Sequence, residues 1–319
     1  MSGSEILCIF CGKRSEKIAW VENGFVGRRC DCGLIYISPR PGPDEILNLY
    51  NSFEADWSAK SRIKAEFAAR LNGRHRLGLI KKYLLQGSLL EIGSGGGYFL
   101  DESKRAGFEP FGVEPNLLQA KFIREQFKVP VETNPFGENS FTGIDFDIIC
   151  HFDVLSHFYD PIFEFKNFSK RLKEEGILFF ETGNGGNLSQ RWLKFIKHLQ
   201  YPHHLFLFSE KNIEQLCNHT GFEIIKKYQY SIFLQLLVVK WGQWLKKSIE
   251  RFIMKGNAKF ISEDLEEIPQ RHSWWKVLFL KTAIFLNFFM RYKIGRLLPR
   301  FGPQTIIFIA KRVATVDSN

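Results

Sequence analysis

The chain has 319 residues, 45% of them hydrophobic and 24% charged. It is long enough to bury about 75% of its unfolded surface around one large core or two. This composition excludes an intrinsically disordered chain, a collagen and a disulfide-stabilised miniprotein. The formal net charge of +10 favours an anionic partner without identifying it.

The positive charge is concentrated in the C-terminal third. Residues 229–319 hold 15 Lys and Arg against 6 Asp and Glu, so any electrostatic attraction to a partner belongs there. No stretch reaches the ~20 apolar residues that a membrane-spanning helix needs, and the N-terminus lacks the apolar segment of a secretion signal. We expect a cytoplasmic protein of unknown oligomeric state, with a peripheral contact at the inner membrane face left open.

Residues 1–40 are predicted to form a zinc-ribbon-like module. Two residues separate Cys8 from Cys11, and after an 18-residue gap one residue separates Cys30 from Cys32. This spacing nearly matches that of four-cysteine zinc sites, although the second pair is one residue short. Four thiolates leave no open ligand position, so the zinc would be structural. The alternative is a ribbon of reduced thiols held by its apolar residues.

The next three zones differ in periodicity. Residues 41–85 have apolar positions at helical spacing and are predicted to form a helical lid or linker that includes Tyr50 and Trp57. Residues 86–228 alternate short apolar runs with amphipathic stretches, which is typical of βαβ units on a parallel sheet. Residues 229–303 are predicted to be a helical insertion, after which 304–313 supply a last strand of the same core.

The start of the insertion is predicted to be a basic amphipathic helix. Its apolar face comprises Leu237, Trp241, Leu245, Ile249 and Phe252, and its polar face Lys240, Lys247, Glu250 and Arg251. We favour packing of the apolar face on the core of the protein itself. Docking of this face on a membrane surface is the alternative.

The strongest chemical signal is the segment LLEIGSGGGYFL at 89–100. An apolar strand runs into closely spaced glycines, which allow a sharp turn and the close approach of a ligand. A dinucleotide-binding loop is disfavoured, because Tyr98 stands where that fingerprint has a small residue. Glu114 ends the next predicted strand and is well placed to accept hydrogen bonds from ribose hydroxyls.

The chain resembles the class I S-adenosylmethionine-dependent methyltransferases. The resemblance rests on five ordered segments: LLEIGSGGGYFL, FGVEPN, FDIICHFDVLSHFYDP, LKEEGILFFETGN and HLFLFSEKNIEQLCNHTGFEI. It implies a Rossmann-like α/β fold with a seven-stranded, mostly parallel sheet sandwiched by helices. The cysteine module looks like the zinc-ribbon head of bacterial members with small-molecule, sugar or lipid-linked substrates.

The resemblance also implies a site. The residues that would surround the methionine part of S-adenosylmethionine are Glu91, Gly93, Ser94, Gly95 and Gly97. Glu114 would hold the ribose, and Asp153 would lie beside the sulfonium and the substrate. For Asp153, a helix N-cap or a solvated loop carboxylate is an equal alternative.

Methyl transfer to a hydroxyl is helped by a base with a near-neutral pKa, for which histidine is the usual choice. His157 is the first candidate, with His204 as a substrate-edge or structural residue. Some relatives bind a divalent cation through a Glu-x-x-Glu-His run, but Ser156 replaces the second carboxylate here, which makes a magnesium site doubtful.

Three functions remain open on the sequence. The leading one is methyl transfer to a small-molecule, sugar or lipid-linked acceptor. The second is RNA methylation, although the basic residues lie in an aromatic-rich region and nucleic acid is not the favoured partner. The third is a non-catalytic binding or scaffold protein of the same fold.

Overall fold

In the computed structural model, which describes residues 3–137, 139–241 and 274–313, the strands form two sheets. Their bounds in chain order are β1 Ile18–Glu22, β2 Phe25–Arg29, β3 Ile35–Ile37, β4 Gly87–Ile92, β5 Phe108–Val113, β6 Val131–Glu132, β7 Phe146–Phe152, β8 Leu172–Gly183, β9 Phe206–Leu207, β10 Phe222–Ser231 and β11 Gln304–Arg312.

The larger sheet has seven strands in the order β10-β11-β8-β7-β4-β5-β6. Strands β8, β7, β4, β5 and β6 run parallel, whereas β11 lies antiparallel between β8 and β10. In the centre, Leu90 pairs with Ile149 and both are fully buried, because helices cover both faces of the sheet. The predicted seven-stranded, mostly parallel fold is confirmed.

Helices lie between most of the strands. Their bounds are α1 Pro43–Leu49, α2 Phe53–Lys64, α3 Glu66–Ile80, α4 Tyr98–Arg105, α5 Leu117–Phe127, α6 Pro161–Arg171, α7 Gln190–Ile196, α8 Glu210–His219, α9 at 233–241 and α10 Trp274–Phe289. A short π-helical turn, Met290–Ile294, continues α10. On one face of the sheet the rings of Phe180 and Phe308 stack at 5.1 Å in an aromatic core.

The smaller sheet joins the cysteine module to the methyltransferase-like core. Its order is β1-β2-β3-β9, and β9 comes from far along the chain, where Phe206 pairs with Tyr36. Arg29 on β2 also donates to the backbone oxygens of Gly186 and Leu188, each at 2.7 Å. The sequence did not predict this added strand. Its pairing with β3 packs the cysteine module, residues 1–40, which we call the head, against the core.

The insertion is described in part. In the described portion of its predicted apolar face, Leu237 and Trp241 are 39% and 63% exposed, so these two residues do not pack on the core. The remaining predicted positions, Leu245, Lys247, Ile249, Glu250, Arg251 and Phe252, lie outside the described residues. In the described part of the chain, no helix has the length and hydropathy that a bilayer span requires.

Candidate active site

The glycine loop lies between β4 and α4, at the carboxyl edge of the parallel strands, where α/β sheets bind ligands. Gly93, Gly95 and Gly97 all have a positive φ, of 73°, 54° and 72°. A Cβ at Gly97 would come within 2.5 Å of Ile123, so only glycine fits there. A Cβ at Gly95 would meet nothing closer than 3.7 Å, which leaves that side of the loop open to a ligand.

Two polar side chains beside this loop have unsatisfied atoms. Glu91 is buried within β4, and its Oε2 has no hydrogen-bond partner, while burial raises the pKa of its carboxyl. The Nε2 of Gln119, the atom nearest to the open side of Gly95, is likewise buried without a partner. An unsatisfied buried polar group is costly, so a ligand that pairs with these atoms fits the site.

Glu114 and Ser94 hold the loop in place. Glu114, which follows β5, accepts hydrogen bonds at Oε2 from the backbone N–H of Gly95 (2.6 Å) and at Oε1 from that of Asn116 (3.0 Å). Burial raises the pKa of this carboxyl, and the two N–H donors oppose that shift. The Ser94 hydroxyl is turned inward and donates to the Glu91 carbonyl at 3.1 Å, so it stabilises the turn rather than facing the open side.

A charge cluster lies at the ends of β7 and β8. Glu181 is fully buried and accepts from Arg76 Nε at 2.8 Å, from Arg291 Nη2 at 2.5 Å and from the Tyr292 hydroxyl at 3.1 Å. Asp153 adjoins it, with a carboxylate 57% exposed and 4.0 Å from Arg291. Asp153 has a φ of 58° and precedes the N-cap Val154 of a short 3₁₀ turn, so it is not a helix N-cap.

Sequence reasoning missed most of this cluster. The sequence could have indicated Glu181 as a site residue, because it is a carboxylate near the end of an apolar run in a segment that carries the resemblance. Arg76 lies on α3, 105 positions before Glu181. Arg291 lies on the π-helical turn after α10, 110 positions after Glu181. No local pattern predicts such pairs.

The predicted histidines come together with a tyrosine. The Nδ1 of His157 lies 3.0 Å from the Tyr50 hydroxyl, and the rings of His157 and His204 meet edge to face at 4.7 Å. Burial, aided by His204 and His203, lowers the pKa of His157 to about 3, so its imidazole is neutral at pH 7. The Tyr50 backbone oxygen accepts from Asn116 Nδ2 at 2.8 Å, which ties the end of α1 to the Glu114 loop. The side chain of Trp57 lies outside the described side chains.

The four predicted cysteine ligands converge. The Sγ atoms of Cys8 and Cys32 lie 3.5 Å apart, those of Cys11 and Cys30 3.2 Å apart, and all four within 4.8 Å of one another. Zn–S bonds of about 2.3 Å in a tetrahedron separate sulfurs by roughly 3.8 Å, so the cluster has the size of a zinc site. Among the described residues this is the one such cluster of three or more His, Cys, Asp or Glu side chains.

Comparison with known proteins gives the family. The model of a methyltransferase domain family matches residues 62–227. A tRNA U34 carboxymethyltransferase from Campylobacter lari is 25% identical over 214 residues, which cover 61% of this chain and 70% of that protein. A ubiquinone biosynthesis O-methyltransferase from Pelagibacter ubique is 29% identical over 147 residues, which cover 39% of this chain and 60% of that protein.

Among solved structures, a cyclopropane synthase from Mycobacterium tuberculosis is 16% identical and has a TM-score of 0.46, with 78% of this chain and 83% of that chain covered. The family match spans more than half of the 319 residues. The chain therefore belongs to this methyltransferase family, and the resemblance to class I S-adenosylmethionine-dependent methyltransferases predicted from its sequence is confirmed.

Proposed function

We propose that the chain methylates a small-molecule, sugar or lipid-linked acceptor in the cleft at the carboxyl edge of β4, β5 and β7. The observation that carries this proposal is the open side of Gly95, flanked by the unsatisfied Glu91 and Gln119 and by the fixed carboxylate of Glu114. S-adenosylmethionine, the expected cofactor of this fold, supplies an electrophilic methyl group on its sulfonium.

The residues of the glycine loop provide binding and orientation. Glu91 would accept from the ammonium group of the cofactor, while Gly93, Gly95 and Gly97 let the backbone approach its methionine part. Each Glu114 oxygen uses one lone pair on a backbone N–H, which leaves acceptor capacity for ribose hydroxyls. Alignment of the two reactants is the main task, worth about 7–11 kcal/mol in favourable cases.

The acceptor side is assigned to Tyr50, His157, His204 and Asp153. A histidine with a pKa of about 3 is a weak base, so His157 serves mainly to hold the Tyr50 hydroxyl, with His204 packed behind it. Asp153 is an exposed carboxylate just after β7, from where it would reach the acceptor. Removal of an acceptor proton therefore falls to Asp153 or to solvent rather than to His157.

Calorimetry with S-adenosylhomocysteine, the cofactor product, tests the cofactor site. Glu114→Gln should weaken binding by about 10- to 100-fold, the worth of hydrogen bonds to a charged group. Glu109→Gln is the matched control, because Glu109 is an exposed carboxylate on the same strand. Equal affinities for wild type and Glu114→Gln, or no binding by the wild type, would contradict the assignment.

RNA methylation is the second candidate, since the relative from Campylobacter lari is named for a tRNA substrate and the net charge here is +10. Affinity for tRNA as a function of salt separates the two candidates. A slope of several units in log affinity against log salt would favour RNA, because it reports released counterions. Weak binding with a shallow slope favours the small acceptor.

We propose that the cysteine cluster holds one structural zinc ion. The second pair, though one residue short, is held from the core, since Asn212 Nδ2 donates to the Cys32 carbonyl at 3.1 Å and lies 3.7 Å from its Sγ. Gly12 and Gly33 turn with a φ of 64° and 93° directly after the two pairs. Elemental analysis of the purified protein should give about one zinc per chain.

We also propose that the insertion docks on an anionic membrane surface. Large apolar side chains are exposed along α9, α10 and the turn that follows, among them Leu237, Trp241, Leu286, Leu297 and Phe301. The described stretches 233–241 and 274–303 hold seven Lys and Arg, of which Arg291 is paired with the buried Glu181, and not one Asp or Glu. Exposed apolar side chains accompanied by cations, as in these described stretches, are typical of interfacial segments.

Co-sedimentation with vesicles containing phosphatidylserine tests the docking. Replacing Lys293 and Arg296 by Glu should lower binding by about 30-fold or more, at roughly 1 kcal/mol for each lost cation. The matched control is Lys121→Glu with Lys211→Glu, which makes the same charge change on exposed core helices. An equal loss of vesicle binding in both double variants would show that net charge alone accounts for the effect and would overturn the docking proposal.

A further inference from the structure

A cavity of about 380 Å³ opens beside the active-site edge of the sheet, on the side of β11 and β10. It lies past the carboxyl end of β8 and reaches the described end of the insertion at Arg300 and Gly302. Most of its polar lining comes from amide, carboxylate and indole side chains: Asn184, Gln229, Gln304, Glu210 and Trp192.

The floor of this cavity is a connected hydrogen-bond network. Asn184 is 5% exposed; its Nδ2 donates to Gln304 Oε1 at 3.1 Å, and its Oδ1 accepts from the Glu210 backbone N–H at 3.2 Å. Gln229 Nε2 in turn donates to Glu210 Oε2 at 2.8 Å. The side chains are thus oriented in advance, so a ligand need not order them.

One wall is an indole held by other aromatic rings. Trp192 meets Phe233 edge to face at 5.4 Å and Phe301 at 6.3 Å. The loop before Trp192 is fixed by the head, because Arg29 donates to the carbonyls of Gly186 and Leu188. The core and the insertion therefore line this cavity, and the head holds one of its loops in place.

The chemistry of the lining selects the ligand class. Amides offer donors and acceptors side by side, as the hydroxyls of a sugar require, and the carboxylate adds acceptors. The charge of Glu210 is paired with Lys227 at 2.7 Å, and the exposed Arg300 adds guanidinium donors that sugar hydroxyls can accept. The Trp192 indole, which lines the cavity, adds apolar contact for the C–H side of a ring. We propose that this cavity binds a sugar ring of the acceptor.

The position suits that role, and the inference rests on the proposed function. Asn184 lies three residues beyond Glu181, about 10 Å along the strand direction. Glu181 is adjacent to Asp153, because the Asp153 backbone N–H donates to the Glu181 backbone oxygen at 2.8 Å. A sugar held at Asn184 would thus lie about one to two ring lengths from the reacting end of the acceptor, and the methyl group would go to a neighbouring unit or arm.

Saturation-transfer NMR on the full chain tests the cavity. The probes are the methyl glycosides of glucose, galactose and N-acetylglucosamine at about 10 mM, a concentration that detects millimolar binding, with uridine as a planar comparison. Gln229→Leu should weaken the glycoside signal by about three- to tenfold, as expected for lost hydrogen bonds. Trp192→Phe should also weaken it, whereas Gln86→Leu, the same change as Gln229→Leu at an exposed position just before β4, should not.

Product binding is measured on the same samples, which separates the two proposals. Glycoside saturation that depends on Gln229 and Trp192 supports the cavity. A protein that binds S-adenosylhomocysteine but saturates no glycoside, saturates only uridine, or keeps full saturation in both cavity variants overturns the sugar site and leaves the proposed function standing. A protein that binds no product overturns the proposed function itself.

Discussion

Removal of the Glu181 charge is expected to destabilise the protein strongly. Glu181 is fully buried and is the carboxylate on which Arg76, Arg291 and the Tyr292 hydroxyl converge. In Glu181→Gln the shape is kept, but two buried guanidinium groups lose their main counter-charge. Breaking a buried ion pair from one side typically costs about 3–5 kcal/mol, because the remaining charge stays desolvated.

The pKa of Glu181 gives a second estimate of this loss of stability. Burial alone raises this pKa, but Arg76 and Arg291 outweigh it and lower the value from an ordinary 4.5 to about 2. A difference of about 2.5 units corresponds to roughly 3 kcal/mol of stability at neutral pH. Since the pKa is lowered in the folded state, this contribution is present above about pH 5 and is lost as the pH falls towards about 2.

Urea unfolding of wild type and Glu181→Gln measures the effect. At pH 7 the free energy of unfolding should drop by about 3 kcal/mol, and the gap between the two proteins should narrow as the pH falls below about 5. The matched control is Glu164→Gln. Burial, with Asp160, raises the pKa of Glu164 to about 7, so removing that charge should leave stability unchanged or raise it. Equal stability of Glu181→Gln and wild type at pH 7 would refute the reasoning.

Three further outcomes are expected. Gly97→Ala should lower the free energy of unfolding in urea by about 2 kcal/mol or more, because of its positive φ and the clash with Ile123. Gly95→Ala should lower it by about 1 kcal/mol, because its φ is positive but its Cβ meets no close neighbour. A larger loss for Gly95→Ala than for Gly97→Ala would contradict the loop geometry. The imidazole of His157, assigned by His157→Gln, should show no NMR titration between about pH 5 and about pH 8, since its pKa is about 3; a midpoint near 6.5 would contradict its burial. Cys11→Ser should lower bound zinc from about one per chain to a small fraction in elemental analysis, and an unchanged content would show that the metal lies elsewhere.

The elements that the sequence predicts correctly are those set by local patterns. In the run LLEI, Glu91 is the one polar residue among apolar ones, so the sequence predicts a strand, β4, that is buried on both faces. The glycines that follow predict the turn after it. The order of strands and helices then follows, because parallel neighbours need helical crossovers. Helix α5, Leu117–Phe127, is one of the amphipathic stretches between the apolar runs of 86–228, and Asn116 is its N-cap.

The contacts that the sequence cannot give are those between distant segments. Strand β9 joins the head through pairing of Phe206 with Tyr36, and two such residues carry no strand signal of their own. Likewise, nothing near Tyr50 in the sequence indicates that its hydroxyl meets His157 107 positions away. Such pairs depend on how helices and loops pack, which a single sequence leaves undetermined.

The insertion is part of the active-site edge and not a separate appendage. Arg291 and Tyr292, which follow α10 directly, supply two of the three groups that hold Glu181, and Arg291 also reaches towards Asp153. The same helix exposes Leu286 and Phe289 to the outside. Because α10 and the π-helical turn after it are continuous, a membrane that bound this outer face, as proposed above, would also act on the position of Arg291. The proposed membrane contact and the charge beside Asp153 would therefore be linked through one element of the fold.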